Sequence, residues 1–385
     1  MSRPIVFLMT TTGVGGEVIT YVRFIKWLHE HTDYDVFLSD LPDSASYSYV
    51  DNCHLNYIKK IPLNVNPKDK LSVCDTTFPD DSLVFTNACF LVMDSLVKHI
   101  KGERLNFLFY SVEPHTFSDI LKNTSLLKKI IVYNKIKKRI KVANQKNSLV
   151  FQDYPNFINA KKYYNNLQCR YLPIPIIVDT SILERTVSKN KINFCYIGRN
   201  CLTKNNGLVF LAKNLNLYAQ QHNDIIINFQ IISGMSEDSH IYKKIMERFP
   251  KIKTFLIGNL YGKELDYFLI KNSDVVLGMG VSCLEAAKLG IPAISVPARN
   301  KELPLKTKCG FVCDFTEYSL GGYYGEDNKL SKDSSFADLV DYFRANAKEL
   351  SERHKLFADK YFNIDKSAMQ LVKYIENAHF SKGDM

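Results

Sequence analysis

The chain has 385 residues, 46% hydrophobic and 23% charged, which suits a soluble globular protein and exceeds what one hydrophobic core usually holds, so two domains are expected. No run approaches the roughly 18 consecutive apolar residues of a membrane-spanning helix, and the opening MSRPIVFLMTTTG reads as a first β-strand with no signal peptide. The formal net charge of +10 gives a surface that attracts anions, whether substrate phosphates, nucleic acid or anionic lipid, and its distribution must decide among them.

Strand-like apolar runs alternate with helix-periodic ones along the chain. IVFLMT (5–10) leads through a glycine turn into EVITYVRFIKWLHEH, where Val18, Val22, Ile25 and Leu28 share one helical face. VFLS (36–39), SLVFTN (82–87), LNFLFYS (105–111) and SLVFQD (148–153) continue the βαβ rhythm of a mostly parallel sheet. A second series begins at INFCYIG (192–198) and runs through INFQIISG (227–234), IKTFLIG (252–258), SDVVLGM (273–279) and PAISV (292–296). Between the series, YLPIPIIVDTSILERTVSKNK has the prolines and polar tail of a connector. The expected architecture is α/β: two doubly wound domains, 1–180 and 181–363, facing each other across a cleft. The last helix, within 364–385, is expected to pack back on the first domain.

Nine cysteines, at 53, 74, 89, 169, 195, 201, 283, 309 and 313, are odd in number and never spaced CxxC. Buried free thiols in a reducing, cytoplasmic compartment explain them better than disulfides or zinc.

Ligands of open α/β sheets bind at loops leaving the carboxyl ends of strands. In TTTGVGGEV (10–18), Gly13, Gly15 and Gly16 follow a strand and precede a helix, where backbone N–H groups approach an anion closely. Val18 stands at the sixth position of a GxGxxG count from Gly13, which argues against a dinucleotide fingerprint; a tight turn without ligand is the other reading. GRNCLTKNNG (198–207) sets Arg199 and Lys204 at a strand end and helix start, a pairing that suits a diphosphate or else a solvated basic loop. In GMGVSCLEAAKLG (278–290), Glu285 is a lone acid among small apolar residues, and such a carboxylate is costly to bury without a partner. It can accept paired sugar hydroxyls, or backbone N–H groups of its own loop. FYSVEPHTFSD (109–119) offers His115, with Glu113 as a possible companion, for a hydrogen bond to a sugar hydroxyl; an ordinary surface histidine fits as well.

The positive charge concentrates in LKNTSLLKKIIVYNKIKKRIKVANQKN (121–147), which has no acidic residue and interleaves Leu126, Leu127, Ile130, Ile131, Ile136 and Ile140 with its lysines. Such a segment can lie on an anionic membrane surface, while part of its apolar face must pack on the first domain. A solvated basic helix face is the alternative. No recognition motif accompanies the charge, so nucleic acid is not expected as a partner.

These stretches resemble the GT-B glycosyltransferases, in particular the large retaining family 4, over nearly the whole chain. GRNCLTKNNG is similar to that family's GR-x4-KG segment, and FLIGNLYGKELDYFLIKNSDVVL to its stretch with Glu264, Leu265 and Asp274 matching. LGMGVSCLEAAKLGIPAIS resembles the family's E-G-F-G-x-x-x-L-E-A-M-A-x-G-x-P-V-I, LPIPIIVD its interdomain I-P-N-G-V-D, and TTGVGGE its N-terminal glycine loop. The resemblance implies the GT-B fold, with an acceptor-binding and a nucleotide-sugar-binding Rossmann-like domain. It implies that Arg199 and Lys204 hold the donor diphosphate, that Glu285 binds the ribose with Leu284 flanking the base, and that Gly15 and Gly16 let the sugar and phosphate lie against the first domain. His115 would face the sugar. The implied reaction moves a sugar, with retention, from a nucleotide-diphosphate donor to a saccharide or lipid-linked acceptor of the cell-surface polysaccharide or lipopolysaccharide type, without metal or other cofactor, in the cytoplasm or at the inner face of the membrane. One departure stands out: Leu277 occupies the place of the first glutamate of the family's E-x7-E pattern. A noncatalytic sugar-binding or partner subunit, or a sugar-nucleotide epimerase, are therefore the alternatives.

Overall fold

The computed structural model describes residues 3–9, 15–66, 69–113, 125–178, 188, 190–327, 329–330 and 333–385. The chain forms two compact units. One comprises Met1–Pro175 with Ile364–Met385, the other Ile176–Asn363.

The first unit holds strands β1 (Ile5–Leu8), β2 (Val36–Asp40), β3 (Lys59–Pro62), β4 (Val65–Asn66), β5 (Asp69–Val73), β6 (Thr76–Thr77), β7 (Leu83–Asn87), β8 (Ile100–Lys101), β9 (Asn106–Ser111) and β10 (Leu149–Phe151). Its main sheet runs β10-β9-β7-β1-β2-β3, all parallel, while β4–β5 and β6–β8 are small separate ribbons. Every residue of β1 is buried, as befits a central parallel strand covered on both faces. Successive side chains point to opposite faces, so Ile5 and Phe7 enter one core and Val6 and Leu8 another. The helices of this unit are α1 (Gly16–His31), α2 (Ala45–Asn52), α3 (Phe90–Leu96), α4 (Leu126–Gln145) and α5 (Tyr154–Lys161). The first core gathers α1 with Phe85 and Tyr110; the second gathers Phe90 and Met93 of α3 with Ile136 and Ile140 of α4.

The second unit contains β11 (Lys191–Ile197), β12 (Ile226–Ile232), β13 (Lys253–Leu256), β14 (Val275–Gly278), β15 (Ala293–Ser295) and β16 (Gly310–Phe311). They lie in the order β13-β12-β11-β14-β15-β16, parallel except for β16. Its helices are α6 (Leu202–Gln221), α7 (His240–Arg248), α8 (Gly262–Asn272), α9 (Val281–Ala287) and α10 (Phe336–Phe362). Ser335 and Asp338 close a capping box at the start of α10, and Asn346 interrupts its helical dihedrals.

The chain then returns to the first unit. There α11 (Ile364–Asn377) buries Ala368, Leu371 and Ile375 in the core beside α1, and Trp27 Nε1 donates to Asp365 Oδ1 at 2.7 Å. The last strand, β17 (Phe380–Ser381), adds antiparallel to β9. Among the described residues no helix is long and apolar enough to cross a membrane. The nine cysteines are all free thiols.

His354 fastens α10 to the second sheet. Its ring is fully buried, Nε2 accepts the Ala293 N–H at 2.9 Å, and Nδ1 lies 2.7 Å from Leu350 O, which fits the neutral tautomer. Burial holds this imidazole down at about 4, against an ordinary 6.5. The unfolded chain therefore binds a proton that the native one refuses between those values, and this contribution is complete above about 6.5 and lost as pH falls toward 4. Urea unfolding should show wild type losing about 3 kcal/mol more than a His354→Leu variant over that window. Equal slopes would mean that His354 takes up its proton in the native state.

Candidate nucleotide-binding site

In the second unit the sheet order reverses between β11 and β14. From β11 the chain passes through α6 to β12 on one side, while β14 and β15 lie on the other. The loops leaving two such strands diverge and open a crevice beyond their carboxyl ends.

The residues shape that crevice closely. A Cβ on Gly278, at the end of β14, would come within 3.4 Å of Ile197 O at the end of β11. Gly280 follows with φ +65°, in the left-handed region that glycine adopts without strain, and caps α9. On α6, a Cβ at Gly207 would meet Met279 Cε at 2.4 Å, so the β14–α9 loop lies directly against this helix. The buried Tyr196 hydroxyl donates to Lys204 O at 2.9 Å and pins the first turn of α6 over its strand.

Lys204 stands in that first turn, half-buried, and its Nζ donates to Met279 O at 3.4 Å. Its charge also reaches the Cys283 thiol on α9, where burial pushes the thiol up to about 12 and the ammonium pulls the other way. Arg199 is exposed on the loop just before, within a turn closed by Cys201 N–H donating to Arg199 O at 3.0 Å. Cys201 provides no side-chain cap for α6, a helix of 20 residues, so its first-turn N–H groups remain oriented toward the crevice end. Two cations and an uncapped helix start at one strand end form an anion-binding arrangement.

Glu285 lies on α9, its side chain 9% exposed. Its cost of burial is met within the protein: Lys288 Nζ, one turn on, is 2.8 Å from Glu285 Oε2 and 2.8 Å from Asp266 Oδ1 on α8. The Glu285–Lys288 spacing is that of a helical ion pair and was readable in principle, whereas Asp266 arrives through tertiary packing. Leu284, which the family resemblance places beside the base, is fully buried on α9. Leu277 is buried in β14, paired with Tyr196 and Ile294, and its side chain packs in the core of the second unit.

In the first unit, Gly15 caps α1 with extended backbone and Gly16 opens the helix, both at the carboxyl end of β1. His115 lies outside the described residues. Glu113 is exposed beyond β9.

No protein-family model and no curated protein sequence matches the chain. Solved structures do match. A variant of S. aureus TarM, in complex with fondaparinux, alpha-GlcNAc-glycerol and UDP, superposes with a TM-score of 0.64 at 10% identity, over 97% of this chain and 99% of that one. The lipopolysaccharide outer core galactosyltransferase WaaB in its apo form gives 0.53 at 13% identity, over 97% and 99%. The N-terminal domain of Candida albicans trehalose-6-phosphate phosphatase gives 0.55 at 11% identity, over 98% and 97%. The architecture is GT-B, the two-unit parallel α/β fold of glycosyltransferases. At these identities the likeness concerns the fold.

Proposed function

We propose that the chain is a retaining glycosyltransferase of the family 4 type, carrying a sugar from a nucleoside diphosphate donor to a saccharide or lipid-linked acceptor in cell-surface polysaccharide or lipopolysaccharide assembly. The observation that carries this is Lys204, whose ammonium bridges the start of α6 and the β14–α9 loop at the switch point of the second sheet. Arg199 would fork across two phosphate oxygens and Lys204 would act as a point charge. Both stabilise the negative charge that grows on the diphosphate as the bond to the sugar breaks, a task that then needs no metal ion. Glu285, held in one rotamer by Lys288, would accept the ribose hydroxyls. The complex of TarM with UDP supports a nucleotide in this fold.

A thermal-shift screen with UDP, GDP, ADP and their sugars tests the assignment. One nucleoside diphosphate should raise the melting temperature in proportion to its logarithmic concentration, reaching about 2.7 kcal/mol of stabilisation at 100 times its Kd. No shift with any of them would remove the proposal. Leu277, standing where the resembled family has its first glutamate, favours a second reading, in which the chain binds a sugar nucleotide without turning it over. Nucleotide binding without transfer or donor hydrolysis would support that reading.

The acceptor side motivates a membrane contact through α4. Ile136, Ile140 and Ala143 sink into the core, while Leu126, Leu127, Ile130 and Ile131 are 74%, 76%, 52% and 68% exposed. Asp94 neutralises Lys135 and Arg139, and Asp384 pairs with Lys146. Among the described residues Lys128, Lys129, Lys137, Lys138 and Lys141 have no acidic partner. Aliphatic tips beside unpaired lysines match an anionic bilayer, where the former enter the acyl boundary and the latter meet headgroups. The chain should float with vesicles containing phosphatidylglycerol. Serine at all four aliphatic positions should cut this binding by more than about tenfold without lowering the melting temperature. Equal flotation of the variant would exclude α4 as the contact.

A further inference from the structure

The first unit repeats the switch-point geometry of the second and carries polar groups that diphosphate binding does not use. Its sheet reverses between β1 and β7, with β2 on one side and β9 on the other. Glu17, in the first turn of α1, sits half-buried at this point, and Asn87, the last residue of β7, donates Nδ2 to Glu17 Oε1 at 3.2 Å. Tyr21 stands one turn further along α1. Asn87 Oδ1 and the hydroxyls of Tyr21 and Tyr110 are buried and lack a hydrogen-bond partner among the described residues. Tyr110 is directly opposite Asn87 in the β7–β9 register, and its ring is fully buried.

Buried polar atoms in native proteins nearly always find partners, so three orphans beside a carboxyl point to groups supplied from outside. The surroundings of Glu17 disfavour its charge. Burial raises its carboxyl to about 7, Glu113 and Asp40 push it the same way, and the hydrogen bond from Asn87 opposes them. Its charge in turn acts on Cys89 and Tyr110. None of these neighbours is a cation. The surroundings therefore disfavour a phosphate and favour neutral hydroxyls, which donate to carboxyl and amide oxygens and accept from Asn87 or a tyrosine.

We propose that Glu17 and Asn87 form a hydroxyl-binding subsite that takes the neutral saccharide end of the acceptor. The word acceptor rests on the transferase reading; saccharide binding by the first unit stands without it.

Ligand-observed NMR on the full chain tests the subsite directly. Methyl glycosides and disaccharides of glucose, galactose and N-acetylglucosamine serve as probes, glycerol 3-phosphate as competitor, and UDP is titrated into the same samples. At least one neutral saccharide should bind and resist displacement by glycerol 3-phosphate. Its affinity should rise about threefold or more from pH 6 to pH 8, as Glu17 ionises and its hydrogen bonds become charge-assisted. Glu17→Gln should weaken saccharide binding about tenfold, abolish the pH dependence and leave UDP affinity unchanged.

The same variant is expected to be well folded. The native carboxyl keeps its proton up to about 7, whereas in the unfolded chain it ionises near 4.5, so wild type loses stability as pH rises through that window. Glutamine carries no such penalty, and Glu17→Gln should melt higher than wild type at pH 8 and equally at pH 4. Absence of saccharide binding, or binding that the variant leaves intact, overturns the subsite. Failure of UDP to bind wild type would overturn the nucleotide assignment alone, because the saccharide signal is read without donor.

Discussion

Lys204→Ala is expected to weaken nucleoside diphosphate binding by about ten- to a hundredfold while the second unit stays folded. A charge-assisted hydrogen bond to a phosphate is worth about 1.5–3 kcal/mol, which corresponds to that range of affinity. The structural loss should be small for two reasons. The hydrogen bond from the Lys204 side chain to Met279 O is long, 3.4 Å. The bond that anchors the turn, from the Tyr196 hydroxyl, goes to the backbone carbonyl of Lys204 and survives truncation. Calorimetric titration of UDP at two ionic strengths, alongside urea unfolding, separates the effects. The variant should also show a shallower salt dependence, since one cation has left the anion site. Arg199→Ala should have a smaller effect, because the exposed guanidinium is screened by solvent. Wild-type affinity in Lys204→Ala would detach the β11–α6 loop from diphosphate recognition.

The parallel strands were legible because central strands buried on both faces read as unbroken apolar runs, IVFL and LVFT in the first sheet and VVLG in the second. The short edge strands were not. KKIP of β3 is largely exposed and charged, and β16 and β17 have two residues each, so neither length nor periodicity announces them. Sheet order was also out of reach, and with it the recognition that β11 and β14 adjoin. In the loops, residue type signalled chemistry more reliably than contact. Arg199 and Lys204 were visible as cations at a strand end, but only the folded chain shows that Lys204 turns toward Met279. The alternation of lysine and aliphatic residues in α4 gave no hint that its first two turns project while the next two pack, because burial there is decided by where the sheet ends. Glu285 reads in sequence as a lone acid among apolar residues, yet Lys288, one turn on, pairs with it in the fold.

That neighbour sets up the other large effect. Lys288 is 7% exposed and lies 2.8 Å from both the Glu285 and Asp266 carboxylates. Lys288→Met would keep much of the side-chain volume but leave two carboxylates facing each other with no cation between them, and breaking such a buried arrangement costs about 3–5 kcal/mol. Part of this would be recovered if one carboxyl took up a proton, so the loss should be smaller at pH 5 than at pH 8. Glu285→Gln should be far milder, about 1 kcal/mol, since Lys288 retains Asp266 and the amide oxygen still accepts a hydrogen bond. The two variants therefore separate support from recognition. If Glu285 serves only to neutralise Lys288, Glu285→Gln should bind UDP like wild type. If it also holds the ribose, UDP affinity should fall by about tenfold while affinity for inorganic pyrophosphate, which has no sugar, stays unchanged. Parallel titrations of UDP and pyrophosphate into Glu285→Gln give the answer, because a general disturbance of the crevice would weaken both ligands and a ribose contact only one.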